Sequence, residues 1–271
     1  MTQLFEASHW GQKMGQFETV EVSISGEIGS MQLNRPAQLN ALSRQTLQDL
    51  AAAARWFDEQ PQVKVVVVSG QGRSFSAGFD LGTFATPDPN YSTRDIADIG
   101  RLMAEAIYDM NALTIAAIQG NCIGGGLVLA NSCDLRIAEE DARFVIPEVD
   151  LGIPLTWSGI PRLVREIGPA ATKELVLTCR PFGADEAKSF GFINTIVPTG
   201  TVMTAAQVLA EQLATKPAYS LRITKKQVNA ASDEMVHSRG YASDADIFAF
   251  AVHDPESRAA SARYLKSKNK G

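Results

Sequence analysis

Three consecutive glycines, Gly124, Gly125 and Gly126, restrict the local structure of this chain more than any other feature. The segment 114–118 before them is apolar and typical of a strand, and the apolar run 127–130 after them is typical of a helix. Glycines at a strand-to-helix turn allow another backbone to approach closely and leave N–H groups at the positive end of the helix. Such a turn can simply pack a helix on a sheet, or it can hold a developing oxyanion.

Strand and helix patterns alternate along the first two thirds of the chain. The predicted strands are 17–24, 28–33, 63–68, 113–118 and 135–138, and the predicted helices are 45–59, 94–111 and 124–132. Ser43 is a suitable N-cap for the first of these helices. This alternation predicts an α/β fold with right-handed crossovers and a largely parallel sheet.

Helical patterns dominate after Pro161. The predicted helices are 162–167, 170–179, 184–190, 202–216, 218–231, 233–252 and 256–267, with a strand at 194–197 between them. We therefore expect three parts of the chain: an N-terminal tail at 1–16, an α/β core at 17–197, and a helical C-terminal region at 198–271.

Composition narrows the class of protein. The net charge of −5 gives no electrostatic reason to expect a nucleic-acid partner or an anionic membrane surface. Cys122, Cys133 and Cys179 lack the paired spacing of a metal site, so no metal is expected. We interpret them as buried residues of a protein from a reducing compartment. No apolar stretch approaches the roughly 18 residues of a membrane span, and the first sixteen residues lack a signal-peptide core. We expect a soluble, cytoplasmic protein.

Two familiar kinds of site have no support in the sequence. The glycine run has neither the spacing of a dinucleotide-binding turn nor that of a P-loop. Ser76 stands in a small-residue segment but lacks the glycine two positions earlier that a hydrolase nucleophile turn requires. The histidines, His9, His237 and His253, are far along the chain from it, and we interpret them as surface or packing residues.

Two other features could serve proton transfer. The small residues before Phe79 keep its backbone accessible, so its N–H could point into a cleft beside the glycine turn. Glu148 lies among apolar residues, an environment that raises the pKa of a carboxyl group toward a value useful for acid–base chemistry. The alternative for Glu148 is a structural ion pair, for example with Arg143.

Several segments together resemble the crotonase (enoyl-CoA hydratase/isomerase) superfamily, in that family's order and spacing, between about Phe17 and Val197. These segments are Leu33–Pro36, Asn40–Leu42, Phe75–Leu81, Asn121–Gly126, Cys133–Ile137 and Phe144–Gly152. The resemblance implies a ββα spiral core with a helical C-terminal trimerisation region, and a homo-oligomer that is a trimer or a hexamer. It also implies an acyl-CoA thioester substrate whose coenzyme A is part of the substrate, so that no separate cofactor is expected.

The resemblance assigns roles to particular residues. It places an oxyanion hole at the N–H groups of Phe79 and Gly125, and the proton-transferring carboxylate at Glu148. It implies that the substrate-binding residues include Ala41, Ala77, Asp80, Leu81, Val128 and Pro147, with Arg35, Lys225 and Lys226 as weaker candidates for the phosphates of coenzyme A.

The sequence departs from the hydratase pattern at Val128, where those enzymes carry a first glutamate in addition to the one matched by Glu148. Addition of water needs one group to activate the water and another to protonate the α-carbon. Thr156 stands where dienoyl isomerases and aryl dehalogenases of the family carry an aspartate. A single glutamate resembles the 3,2-enoyl-CoA isomerases, so we expect isomerisation ahead of hydration. A non-catalytic acyl-CoA-binding protein is the alternative from another class.

Overall fold

Two β-sheets position the glycine turn. The computed structural model describes residues 17–80, 82, 92–237 and 243–268. The strands are β1 Val20–Ser25, β2 Ile28–Leu33, β3 Val65–Gly70, β4 Leu113–Ile118, β5 Asn121–Ile123, β6 Leu135–Glu139, β7 Arg143–Val145, β8 Phe182–Gly183 and β9 Thr195–Val197. The helices are α1 Arg44–Asp58, α2 Thr93–Asp109, α3 Gly125–Asn131, α4 Gly159–Thr178, α5 Ala184–Ser189, α6 Val202–Ala214, α7 Ala218–Met235, α8 Ser243–Ala251 and α9 Pro255–Lys268.

The larger sheet has the strand order β1-β2-β3-β4-β6-β9, in which only the first pair is antiparallel. The largely parallel sheet is therefore confirmed, and the first two predicted strands, 17–24 and 28–33, correspond to the antiparallel pair. Strand β3 is buried on both faces: Val66 and Val68 belong to the core cluster that includes α1, while Val65 and Val67 pack in the cluster that includes α6. This double burial explains why the strand is uniformly apolar rather than alternating.

Helix α1 begins where the sequence predicts. The Ser43 hydroxyl accepts a hydrogen bond from the Thr46 N–H at 3.2 Å, which satisfies one of the free donors of the first turn. The apolar residues of the predicted face, Leu47, Leu50, Ala54 and Phe57, are all buried.

A smaller sheet of β5, β7 and β8 was not predicted. Strand β5 pairs in parallel with β7, and β7 pairs antiparallel with β8. Each of these strands has three residues or fewer, too short to show a period of two in the sequence. The pairing brings the chain before the glycine turn alongside the chain that leads to Glu148.

The C-terminal region is helical, as predicted, but its breaks differ. The predicted helix at 233–252 is wrong, since α7 continues through Met235 and Val236 after it is extended, with φ −143° and ψ 109°. Gly240 lies inside that predicted helix, where glycine is unfavourable. The predicted separation of 162–167 from 170–179 corresponds to a kink in α4 at Gly168, whose φ is +77°, followed by Pro169.

Among the described residues, every helix is either too short or too polar to cross a membrane. The three cysteines are buried and are not joined in disulfides, as expected for small packing residues.

Candidate active site

The glycine turn has a backbone shape that suits glycine alone. Gly124 adopts φ 47° and ψ −114°, and its N–H donates to the Val145 carbonyl at 2.9 Å. Gly125 is the first residue of α3, so its N–H precedes the helical hydrogen-bonding pattern. Within the described chain, that N–H has no backbone acceptor. The turn therefore presents a backbone donor at the positive end of a helix.

The segment that carries Phe79 runs directly beside this turn. Ser76 donates its N–H to the Asn121 carbonyl and accepts from the Ile123 N–H, both at 3.0 Å. Gly78 has a φ of +88°, and a Cβ built on it would lie 2.6 Å from the Ile123 oxygen and 3.6 Å from the Gly125 nitrogen. Only a glycine permits this approach. The backbone at Gly78, directly before Phe79, therefore lies beside the backbone that runs from Ile123 to Gly125.

Glu148 lies against the same turn. Its Oε1 oxygen is 2.5 Å from the position that a Cβ on Gly124 would occupy, and Pro147 Cδ is 3.4 Å from that position. The residue is 9% exposed, and Oε2 has no hydrogen-bond partner among the described residues. Burial raises the pKa of Glu148 to about 7.

The alternative role for Glu148 as a structural ion-pair residue is wrong. No described cation lies within ion-pairing distance of its carboxylate, and Arg143 is exposed to solvent. A buried carboxylate without a partner costs stability. Its pKa near neutrality is a common property of groups that transfer protons.

A cavity of about 30 Å³ adjoins these groups. Phe79, Gly125, Val128 and Glu148 all line it, so four of the residues predicted for the site converge on one space. The rest of the described lining is largely apolar: Ala97, Ile153, Pro154, Leu155, Thr156, Trp157 and Phe248. One ionisable group in a largely apolar cavity that Gly125 also lines is an arrangement suited to proton transfer near a carbonyl.

A second group of predicted residues gathers around the segment that carries Phe79. Arg35 donates to the Ala41 carbonyl at 2.6 Å and pairs with Asp80 at 2.9 Å. Ala77 donates its N–H to the Leu39 carbonyl at 2.9 Å, so the two segments run together. These residues are near one another but do not line the cavity, and Leu81 lies outside the described residues.

Lys225 does not suit the role predicted for it. Its Nζ lies 2.8 Å from Asp134 Oδ2 and donates to the Ala112 carbonyl at 3.0 Å, and the residue is buried. It holds α7 on the core and is not available to a phosphate, so its assignment was wrong. Lys226, the next residue, is exposed.

The hydrolase alternative finds no support. Ser76 Oγ donates to the Asn40 carbonyl at 2.8 Å and accepts from the Gly78 N–H at 3.1 Å, so it holds the Phe79 segment in shape. His237 and His253 are exposed, as expected, and His9 lies outside the described residues. No cluster of three metal-ligating side chains occurs in the part of the chain that the structure describes.

Sequence reasoning missed Trp157 and the residues that hold it. Trp157 and Ser158 are consecutive residues with left-handed backbones, φ 60° and 57°. A left-handed backbone raises the energy of a residue other than glycine by roughly 1–2 kcal/mol. The Ser158 N–H donates to Asp244 Oδ2 at 2.8 Å, and Arg162 donates to the Trp157 carbonyl at 3.1 Å. These partners are remote in sequence or lie in a helix interior, so no local pattern indicates them.

The last helix supports the loop that follows Glu148. Ser261 donates to the Leu151 carbonyl, and a Cβ on Gly152 would collide with the Ser257 backbone. Burial and the nearby carboxylates of Glu148 and Asp150 raise the pKa of Tyr264. Helix α9 therefore packs directly on the chain that carries the buried carboxylate.

Comparisons with known proteins agree with this fold. The family model for enoyl-CoA hydratase/isomerase matches residues 23–270. A probable enoyl-CoA hydratase from Mycobacterium bovis is 34% identical over 244 residues, covering 88% of this chain and 92% of the relative. A crotonyl-CoA hydratase from Syntrophomonas wolfei is 31% identical over 241 residues, with coverage of 88% and 92%. The crystal structure of an enoyl-CoA hydratase/isomerase from Pseudoalteromonas atlantica superimposes with a TM-score of 0.83 at 25% identity, covering 92% of this chain and 98% of that one.

The fold is thus that of the crotonase superfamily, an α/β core followed by a helical C-terminal region. The chain belongs to the enoyl-CoA hydratase/isomerase family, and it is an acyl-CoA enzyme of the hydratase, isomerase or lyase type.

Proposed function

We propose that this enzyme isomerises 3-enoyl-CoA thioesters to 2-enoyl-CoA thioesters, with Glu148 as the only proton carrier. One observation carries the proposal: Glu148 is the single carboxylate among the described residues that line the cavity, and the α3 side chain that lines it is the apolar Val128. A 1,3-shift of a proton needs one base that first accepts and then returns the proton.

In the proposed reaction, the thioester oxygen binds to the N–H groups of Phe79 and Gly125. Glu148 removes a proton from C2, and the electron pair moves into a dienolate whose negative charge rests largely on that oxygen. The same carboxyl group then returns the proton to C4, so the double bond moves from C3–C4 to C2–C3. Each backbone donor of this kind is worth roughly 10²–10³ in rate.

The electrostatics of Glu148 suit a group that works in both directions. With a pKa of about 7, the carboxyl group is present in both protonation states at neutral pH. A catalytic group is most effective when its pKa lies near the working pH. Val128 and the other apolar lining residues would keep water from the dienolate.

We also propose that Arg35, Ala41, Ala77, Asp80, Leu81 and Pro147 contribute to binding the coenzyme A portion. The Arg35–Asp80 pair joins the segment that carries Arg35 to the residue directly after Phe79, so the two segments form one surface beside the proposed oxyanion donor. Because the reaction moves one proton within the substrate, it needs neither a metal nor a redox cofactor.

Hydration of 2-enoyl-CoA is the second candidate, and the relatives favour it. The Mycobacterium bovis relative is named as a probable enoyl-CoA hydratase, and the Syntrophomonas wolfei relative as a crotonyl-CoA hydratase. In this case Glu148 would both activate the water and protonate the α-carbon. A third candidate, binding without turnover, is disfavoured because a pure binder gains nothing from a buried carboxylate that costs stability.

Product analysis distinguishes these candidates. Purified protein is incubated separately with 3-enoyl-CoA and 2-enoyl-CoA thioesters, and the products are separated by chromatography and weighed by mass spectrometry. Isomerisation changes retention but not mass, whereas hydration adds one water. Conversion of 2-enoyl-CoA alone would replace the isomerase proposal with the hydratase, and conversion of neither would favour the binding protein.

We propose a trimer or hexamer as the working assembly. Large apolar side chains on α7 and α8 face solvent in the single chain, with Tyr219 76%, Met235 79% and Phe250 76% exposed. Exposed apolar side chains on neighbouring helices are typical of subunit contacts. Light scattering at micromolar concentration should give a mass three or six times that of the 29.2 kDa chain, and a 29.2 kDa particle would contradict the proposal.

A further inference from the structure

The indole of Trp157 is packed between two glycines beside the reaction site. A Cβ on Gly125 would lie 2.4 Å from Trp157 Cζ3, and a Cβ on Gly100 would lie 2.0 Å from Cε2. The ring also meets the Phe79 ring edge-on, with 5.8 Å between centroids and 81° between planes. Trp157 therefore contacts both of the residues proposed to donate to the thioester oxygen.

The backbone beneath this ring is held from two directions. Asp244 of α8 accepts from the Ser158 N–H, and Arg162 of α4 donates to the carbonyls of Trp157 and Ser158 at 3.1 and 3.4 Å. The Arg162 side chain is entirely buried, and burial lowers its pKa to about 10, so it remains charged at neutral pH. Hydrogen bonds from two separate helices therefore stabilise the left-handed backbone of Trp157 and Ser158.

The space that Trp157 bounds is small. The cavity that it lines with Phe248, Ala97 and the Glu148 carboxylate measures about 30 Å³. That volume has room for about one or two water molecules. An acyl chain that extends past the reacting carbons toward this wall would have to displace the indole, which is only 7% exposed and has glycine backbone on two sides.

We propose that Trp157 is a specificity-determining residue that closes the acyl pocket and restricts the substrates to thioesters with short acyl chains. This inference rests on the proposed function in that it takes the cavity beside Glu148 as the acyl site. It assigns to Trp157 the role of a fixed wall, and to Asp244 and Arg162 the role of positioning that wall.

Binding of saturated thioesters tests the wall without depending on catalysis. The dissociation constants of butanoyl-CoA and decanoyl-CoA are measured by calorimetry for the full-length wild type and for the variants Trp157→Gly, Trp157→Phe and Ser158→Gly. Glycine adopts the left-handed backbone without strain, so Trp157→Gly removes the ring but keeps the turn. Ser158→Gly is the matched control, because it makes the same backbone change next to the ring and removes only a hydroxyl that has no partner among the described residues.

The wild type should bind butanoyl-CoA at least about tenfold more tightly than decanoyl-CoA, since one methylene group too many is already worth about tenfold or more. Trp157→Gly should raise the affinity for decanoyl-CoA relative to butanoyl-CoA by about tenfold or more, Trp157→Phe should shift the ratio in the same direction by less, and Ser158→Gly should leave it unchanged.

An unchanged ratio in folded Trp157→Gly, or an equal shift in Ser158→Gly, would overturn the proposal. If Trp157→Gly fails to fold, the test is made with Trp157→Phe. An unchanged ratio of the two affinities in that variant would then overturn the proposal. Saturated thioesters cannot isomerise or take up water. Selective binding without any turnover of enoyl-CoA would therefore remove the proposed function and leave the acyl wall in place.

Discussion

Glu148 Oε1 lies 2.5 Å from the point at which a Cβ on Gly124 would stand. The carboxylate and the glycine turn therefore fit each other so closely that no other residue at position 124 leaves the carboxylate where it is. The distance also means that the positive end of α3 and the buried acid are parts of one local structure.

Gly124→Ala tests this fit. The new methyl group should displace Glu148 and strain the backbone, which costs about 1–3 kcal/mol at a conformation of this kind. Turnover should fall steeply, as measured by steady-state kinetics on enoyl-CoA thioesters. Gly200→Ala is the control, because Gly200 also has a positive φ, +81°, but open space around it. Equal loss of turnover in both variants would contradict the contact.

Glu148→Gln should bind substrate and lose turnover. The amide keeps the size of the side chain but cannot accept and return a proton, and general acid–base groups contribute about 10²–10⁴ in rate. Steady-state kinetics and binding of a saturated acyl-CoA measure the two properties separately. Full activity in this variant would remove Glu148 from the chemistry.

The pKa of Glu148 predicts how stability depends on pH. The folded value of about 7 lies above the ordinary value of 4.5, so between these pH values the folded state holds a proton that the unfolded state has lost. The contribution of Glu148 to the free energy of unfolding is therefore largest below pH 4.5. It falls by about 3 kcal/mol in all as the pH rises toward 7. Glu148→Gln should remove this contribution. Urea unfolding of both proteins across that pH range measures it, and parallel curves for the two proteins would refute it.

Val128→Glu tests whether the missing second acid limits hydration. The new carboxylate would lie in the first turn of α3 and line the same cavity as Glu148, so the ratio of hydration to isomerisation should increase. The helix terminus contributes up to about 2 kcal/mol to the ionised form, while burial opposes it, so some loss of stability is expected. Val128→Gln is the matched control without an acid. A wild type that already hydrates 2-enoyl-CoA efficiently would show that Val128 is no limitation.

Asp244→Ala should loosen the wall at Trp157. Removing the acceptor leaves the buried Ser158 N–H unpaired, which costs about 1–3 kcal/mol of stability. The ratio of the affinities for butanoyl-CoA and decanoyl-CoA should move toward one. Asp244→Asn keeps an oxygen at the same place, so this variant should retain both the stability and the affinity ratio of the wild type. A purely structural role would lower the melting temperature without changing the ratio.

The sequence predicted those parts of the fold and site that depend on local chemistry. The uniformly apolar segment predicted β3, and the hydroxyl of Ser43 predicted the start of α1. The apolar residues around Glu148 predicted that its carboxyl group is buried and has a raised pKa. In each case the cause lies within a few residues of its effect, so a pattern can reveal it.

Other parts depend on partners far along the chain. The strands β5, β7 and β8 exist because their backbones pair with one another, and Lys225 is buried because Asp134 lies opposite it, 91 positions earlier in the sequence. Trp157 adopts its left-handed backbone because Asp244 and Arg162 hold it there. No local propensity favours that conformation for tryptophan.

The packing of α9 on the loop after Glu148 ties the acidity of the active site to the far end of the chain. Ser257 and Ser261 contact the loop that follows Glu148, more than a hundred positions before them, and Tyr264 of the same helix lies close enough to Glu148 for that carboxylate to raise the tyrosine pKa. Proteolysis before Pro255 would admit solvent to that loop and bring the pKa of Glu148 back toward its ordinary value. A partly clipped preparation would then contain two enzymes with different pH profiles, and the intact mass of the chain should be checked before any such profile is interpreted.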